Sequence, residues 1–217
     1  MQLCPRATQL RPGCWSVVVA TLLTVLPQLA QAQSFVWLRQ FGTTRDDQGN
    51  AVATSVSGVY VGGKTNGVFP GQSSAGAGDV DAFVARYDVA GNQIWVRQFG
   101  SATVAQDSVQ GVAADSTGVY VVGVTSGALS GQSNTGSSDA FVRKYDLNGT
   151  EQWTRQFGTS AQDEALAVAV DATGVYVAGR TQGALPGQTS GALNGDDAYV
   201  RKYDTGGNEQ WTRQFGT

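Results

Sequence analysis

The chain has 217 residues, 14% of them charged, with 29 glycines, 2 cysteines, no histidine and a formal net charge of −3. Without histidine it lacks the usual base for a serine nucleophile, the partner for a cysteine nucleophile and the commonest metal ligand. The mildly acidic balance also argues against nucleic acid or an anionic membrane surface as partner, since both select clustered Lys and Arg.

Taken in order, the chain opens on a leader. Arg6 and Arg11 form a basic start, Trp15 to Leu26 is an apolar run of 12 residues, and Ala30-Gln31-Ala32 is a small-x-small cleavage site before Gln33. That run is too short for the roughly 30 Å hydrocarbon core, which takes about 20 apolar residues. Residues 1–32 are therefore expected to be a cleaved signal peptide. The mature chain is expected to be extracytoplasmic, in the periplasm, at the cell surface or in the medium, with no membrane insertion. Cys4 and Cys14 both fall in the leader, so residues 33–217 carry no disulfide, thiol chemistry or lipid anchor.

The remainder is a repeat. Trp37-Leu-Arg-Gln-Phe-Gly-Thr43 recurs from Trp95, Trp153 and Trp211, with the tryptophans 58 residues apart each time. Between the phrases run short Val-rich and aromatic segments at regular spacing, in the third unit Ala165–Val170, Val175–Ala178, Ala198–Tyr203 and Glu209–Phe215. Calling them a, b, c and d, the a–b and c–d connections are tight Asp- and Gly-containing turns that suit antiparallel hairpins. The b–c connections are long, spanning 65–78, 125–138 and 181–196. An up-and-down sheet then places the b–c and d–a loops on one edge. The period predicts a four-stranded unit repeated around an axis: an extra N-terminal outer strand at 35–43, then blades at about 44–101, 102–159 and 160–217. Asp139–Gly158 and Asp197–Gly216 agree at 16 of 20 positions, which reads as duplication.

The run Asp-Ala-Phe-Val-x-x-Tyr-Asp-x-x-Gly-x-x-x-Trp, then Phe-Gly, an Asp-containing loop and Val-Ala-x-Asp-x-x-Gly-Val-Tyr-Val-x-Gly-x-Thr, resembles the SBBP β-propeller repeat of exported bacterial proteins. Unit one departs from it at Ser55, where Asp115 and Asp171 stand in the others. The resemblance implies an all-β fold of propeller-type blades and an extracytoplasmic location, and no particular chemistry. Closed propellers use about 4 to 8 blades, so three blades imply a partial ring, or one closed by a second chain or by further sequence. In a closed ring the N-terminal strand would complete the last blade, a place that Trp211–Thr217 already fills. The spare strand 35–43 is then a candidate for self-association.

Among candidate site residues, Asp47, Asp107 and Asp163 recur in the d–a loop and offer oxygen ligands of the kind Ca²⁺ takes. They lack the D-x-[DN]-x-[DN]-G spacing, and turn capping is the favoured reading. No cofactor is expected. Gln72, Gln132 and Gln188, repeated near the tips of the long loops, are candidate hydrogen-bonding groups for a sugar or peptide. Phe69, Leu129 and Leu185 beside them are expected in the core between blades. Strand alternation puts Trp37, Trp95, Trp153 and Trp211 on one face with the Arg and Phe of each phrase, which assigns Arg97, Arg155, Phe99 and Phe157 to inter-blade packing. The inventory favours a non-enzymatic binding or structural scaffold whose partner is a protein or glycan at the cell surface. The alternative is a carbohydrate-active hydrolase or lyase using loop carboxylates.

Overall fold

The computed structural model describes residues 36–75, 80–103, 105–191 and 195–216. The expected signal peptide, 1–32, lies outside them. Among the described residues the chain forms β1 (Asp47–Ser55), β2 (Gly58–Thr65), β3 (Asp81–Tyr87), β4 (Gln93–Phe99), β5 (Asp107–Ala114), β6 (Gly118–Thr125), β7 (Asp139–Asp146), β8 (Glu151–Phe157), β9 (Asp163–Asp171), β10 (Gly174–Thr181), β11 (Asp197–Tyr203) and β12 (Glu209–Phe215). They make three four-stranded sheets in which sequence neighbours pair antiparallel, β1 to β4, β5 to β8 and β9 to β12. No helix among these residues is long and apolar enough to cross a membrane.

The turns explain why each unit folds as a meander. At the β3–β4 turn the Asp88 carboxylate accepts the backbone N–H groups of Ala90 at 2.9 Å and Asn92 at 2.8 Å, satisfying donors that the reversal leaves without ladder partners. Asp146 does the same for Asn148 and Thr150, and Asp204 for Gly206 and Asn208. On the a–b side Asp115 Oδ1 accepts from the backbone of Thr117 and Gly118, and Asp171 from Thr173 and Gly174. Ser55 replaces that carboxylate in blade 1 with its hydroxyl, which accepts the Ser57 N–H at 3.1 Å.

The core lies between sheets. Tyr60, Ala82, Val84, Trp95 and Phe99 of blade 1 close on Val109, Val119, Val121, Leu129, Phe141 and Tyr145 of blade 2. Tyr120, Val122, Ala140 and Val142 of blade 2 close in the same way on Val175, Val177, Leu185, Tyr199 and Tyr203 of blade 3. Each sheet thus has a forward face, carrying the Trp and Phe of its last strand, and a rear face that receives those of the preceding unit. Backbone bonds stitch the seams as well: Asp107 N–H donates to Val80 C=O at 2.8 Å and Asp163 N–H to Ser138 C=O at 3.0 Å.

The outer strand expected at 35–43 is not formed by its described residues, 36–43. Residues 36–43 adopt no regular strand and pair with no sheet. No strand among the described residues supplies them with ladder partners, so the segment is held by the side chains of Trp37, Arg39 and Phe41 and by the Thr43 N–H on the Asp47 carboxylate. It also does not compete for the place of β12, which pairs with β11 from Ala198↔Phe215 to Tyr203↔Glu209. It lies instead on the rear face of blade 1, where Phe41 meets Phe69, Phe83 and Tyr87 at centroid distances of 6.2, 5.8 and 5.4 Å.

Candidate functional site

The feature the chain builds repeatedly is a joint between the Trp phrase and the β-turn of the next blade. Trp95 Nε1 donates to Leu147 C=O at 3.0 Å and Arg97 Nε to Gly149 C=O at 2.7 Å. One blade later Trp153 donates to Thr205 C=O at 3.1 Å and Arg155 to Gly207 C=O at 2.8 Å. Trp37 and Arg39 make the same pair of bonds to Val89 C=O and Gly91 C=O, both at 3.0 Å. The receiving glycine has two reasons to be glycine. Its φ is +79°, +77° and +81° at Gly91, Gly149 and Gly207, a left-handed conformation that side chains resist. A Cβ would also lie 2.6 to 2.8 Å from the nearest indole carbon of the docking tryptophan.

Alternation assigned the arginine of each phrase to the aromatic packing, and Arg97 and Arg155 sit 5.5 and 5.8 Å from the rings of Trp95 and Trp153. The closer stack is one that sequence reasoning missed. Arg143, on β7, lies 4.1 Å over Phe99 of the preceding blade, and Arg201 lies 3.9 Å over Phe157. Both are nearly fully buried and ion-paired, Arg143 with Glu151 at 3.3 Å and Arg201 with Glu209 at 3.4 Å. Blade 1 has Ala85 at that position and Phe69 where the others have Leu129 and Leu185, so aromatic volume replaces the guanidinium. Burial pushes the Tyr203 phenol up to about 12, and burial likewise raises Tyr145, against an opposing pull from Arg143.

On the long-loop edge, the three candidate glutamines hold the loops in shape. Gln72 Oε1 accepts the Gln98 N–H at 3.1 Å while its Nε2 donates to Gly71 C=O at 3.1 Å. Gln132 and Gln188 repeat this with Gln156 and Gln214. The glutamine of the phrase completes the clip: Gln98 Nε2 donates to Gly67 C=O at 2.8 Å and to Asp81 Oδ2 at 2.6 Å, and its Oε1 accepts the Phe69 N–H at 3.0 Å. Gln156 and Gln214 act identically on their loops. That residue stands in every copy of the phrase, and its recurrence was the available signal. Phe69, Leu129 and Leu185 are buried at the base of the loops.

The three candidate aspartates each receive a backbone N–H from the phrase before them: Asp47 from Thr43 at 2.6 Å, Asp107 from Ser101 at 2.8 Å and Asp163 from Thr159 at 2.5 Å. Asp107 and Asp163 are fully buried, as are Asp81, Asp139 and Asp197 at the starts of the third strands, which the sequence reading passed over. A Cβ on Gly100 would lie 2.5 Å from Asp107 Oδ2 and 2.6 Å from Asp81 Oδ1, and Gly158 is flanked alike by Asp163 and Asp139. The phrase glycine is therefore the gap through which two carboxylates reach the loop backbone. No group of three or more His, Cys, Asp or Glu side chains converges among the described residues.

Comparison with known proteins agrees with this architecture. Across 154 residues the chain is 37% identical to the "Regulatory protein FlaEY" of Caulobacter vibrioides, an alignment covering 64% of this chain and 16% of that protein. The chain thus spans about a sixth of the relative's length. Residues 36–70, which hold the first Trp phrase, β1, β2 and the start of the long loop, match the SBBP family, described as beta-propeller repeat. That stretch is similar to an SBBP beta-propeller repeat, and the chain's own 58-residue period repeats the Trp phrase and the four-stranded unit through the two later blades.

Proposed function

We propose that the chain is an exported, non-catalytic scaffold that presents its long-loop edge to a protein or glycan. The observation that carries this reading is the fate of the polar groups on that edge. The recurring amides and carboxylates are committed to holding the described parts of the three loops, which leaves a preorganised rim of exposed backbone, hydroxyl and small side chains there. Preorganisation lowers the ordering cost of binding. Asp107 and Asp163, the acids that a hydrolase or lyase on this edge would need, are fully buried and already accept loop N–H groups, which supports binding over turnover. A relative named as a regulatory protein is in keeping with a scaffold that acts by engaging others.

The test is a glycan and peptide binding screen run beside a product assay on the same ligands. Retained binding with no product is the expected result, and Asn134→Ala, an exposed loop change, should weaken it. Turnover that disappears in Asp107→Asn while the fold is unchanged would overturn the proposal.

A further inference from the structure

The strand that carries the Trp phrase is the outer edge of its sheet. β4 pairs with β3 and β8 with β7, and among the described residues neither has a ladder partner on its other side. Successive residues of a strand turn their backbone groups to opposite sides, so every second residue of such an edge presents an N–H and a C=O outward. A bare edge of this kind is a template for a strand from another chain. Here Ile94 is 50% exposed beside it, so apolar surface adds to the hazard.

Both edges carry side-chain caps at their centre. Gln98 N–H donates to Gln72 Oε1 at 3.1 Å, and Arg97 Nη1 donates to Val96 C=O at 2.8 Å. In blade 2 Gln156 N–H donates to Gln132 Oε1 at 3.0 Å, and Arg155 Nη1 to Thr154 C=O at 2.8 Å. The two capped groups flank one residue, Arg97 or Arg155. A strand laid beside that residue in either direction needs both of them, the C=O before it and the N–H after it. The caps are held from different places. Gln72 is fixed within its own blade, where its Nε2 donates to Gly71 C=O and Gln98 Nε2 ties the same loop down through Gly67 C=O. Arg97 is fixed by the next blade, through Gly149 C=O at 2.7 Å and Asn148 C=O at 3.1 Å, and Arg155 likewise through Gly207 C=O at 2.8 Å.

We propose that the loop glutamine and the phrase arginine are paired edge guards, which shut β4 and β8 against strand addition by an extended segment of another chain. Trp-x-Arg-Gln-Phe stands in both strands, so each is a ready partner for its counterpart in a second molecule. The arginine guard is set only when the seam closes, because the next blade's turn holds the guanidinium in place. A blade whose neighbour has not yet folded has the glutamine guard alone.

Amide hydrogen exchange and peptide binding on the full chain test this, with a fluorophore-labelled peptide of the sequence Gln93–Phe99 as the added strand and far-UV circular dichroism as the check on folding. In the unaltered chain the Gln98 and Gln156 amides should exchange slowly although they face outward, and the peptide should bind weakly. Gln72→Leu combined with Gln132→Leu should speed exchange at those two amides by about 5- to 10-fold, the worth of one hydrogen bond, and tighten the peptide Kd by about the same factor. Gln72→Glu combined with Gln132→Glu keeps an acceptor in place and should behave as the unaltered chain. If the leucine pair does not fold, Gln132→Leu alone is read in the same way at Gln156. Fast exchange at Gln98 and Gln156 in the unaltered chain would overturn the proposal. So would a folded leucine variant with freed amides that binds the peptide no better, or a glutamate pair that gains as much binding as the leucine pair.

Discussion

The same seven residues meet two different fates at the ends of the described chain. At Trp37 the phrase has its clamp but no ladder: both side-chain bonds to the next turn are made, and no strand pairs with it. At Trp211 it has its ladder but no clamp: β12 pairs fully with β11, while Trp211 and Phe215 face outward. At Trp95 and Trp153 both are present. The phrase therefore serves two separable interactions, one within its sheet and one across the seam, and the second forms without the first. Burial follows the clamp, since Trp95 is 7% exposed and Trp211 is 36% exposed in equivalent strand positions.

The largest break in that comparison comes from removing the indole. Trp153→Ala should cost about 3 to 5 kcal/mol, as core aromatic truncations do, whereas Trp211→Ala should cost less than about 1 kcal/mol at concentrations where the chain is monomeric. Thermal or urea melts of the two variants check this, and equal losses would contradict the division between clamped and unclamped phrases. A smaller contrast is expected at the receiving turns. Gly149→Ala should cost about 1 to 2 kcal/mol from the left-handed backbone alone and more from the collision with Trp95. Gly91→Ala should show mainly the backbone part, because the segment bearing Trp37 has no ladder to resist moving aside. Comparing the two midpoints sharpens how firmly each phrase is held.

The smallest effect is in alkaline titration. Tyr203 is held up to about 12 by burial in its seam, while Tyr176 on the open face is lowered by its bond to Thr173 and then by Lys202. A phenol whose folded pKa exceeds its unfolded value of 10.0 adds stability that is complete below pH 10 and disappears as pH rises through about 12. Ultraviolet difference spectra should therefore show Tyr176 ionising before Tyr203 and without unfolding, with Tyr145, Tyr199 and Tyr203 ionising later and with loss of structure. Ionisation of Tyr203 together with Tyr176 while the sheets persist would count against buried seams.

Much of this was legible in the sequence because period-2 alternation and Asp-Gly turns are local signals. They located the four-stranded units, the edge bearing the long loops and the face shared by Trp95, Arg97 and Phe99. What alternation cannot give is the identity of the partner across a seam. Arg143 is one residue in a charged-looking Arg-Lys pair, and only the neighbouring sheet shows that its guanidinium is spread over Phe99. Gln72 reads as a free amide at a loop tip until the loop folds back and the Gln98 backbone takes it up. Asp81, Asp139 and Asp197 stand in the sequence only as the first residues of the Asp-Ala-Phe/Tyr-Val runs, and nothing local signals that they are fully buried. The N-terminal segment departs from the expected strand for a related reason, since a phrase that matches that of β12 at six of seven positions becomes a strand only where a neighbour offers the ladder.

The joint between units has one more consequence. Every seam unites the forward half of one repeat with the rear half of the next, and the chain passes through it at the phrase glycine, Gly100 or Gly158. A recombination that excised residues 101–158 would join Gly100 to Thr159 and bring Trp95 and Arg97 to the carbonyls of Thr205 and Gly207, the groups that now receive Trp153 and Arg155. No interface would have to be invented. Blade number in such a chain can change by inheritance in whole units, with each new length already supplied with its contacts.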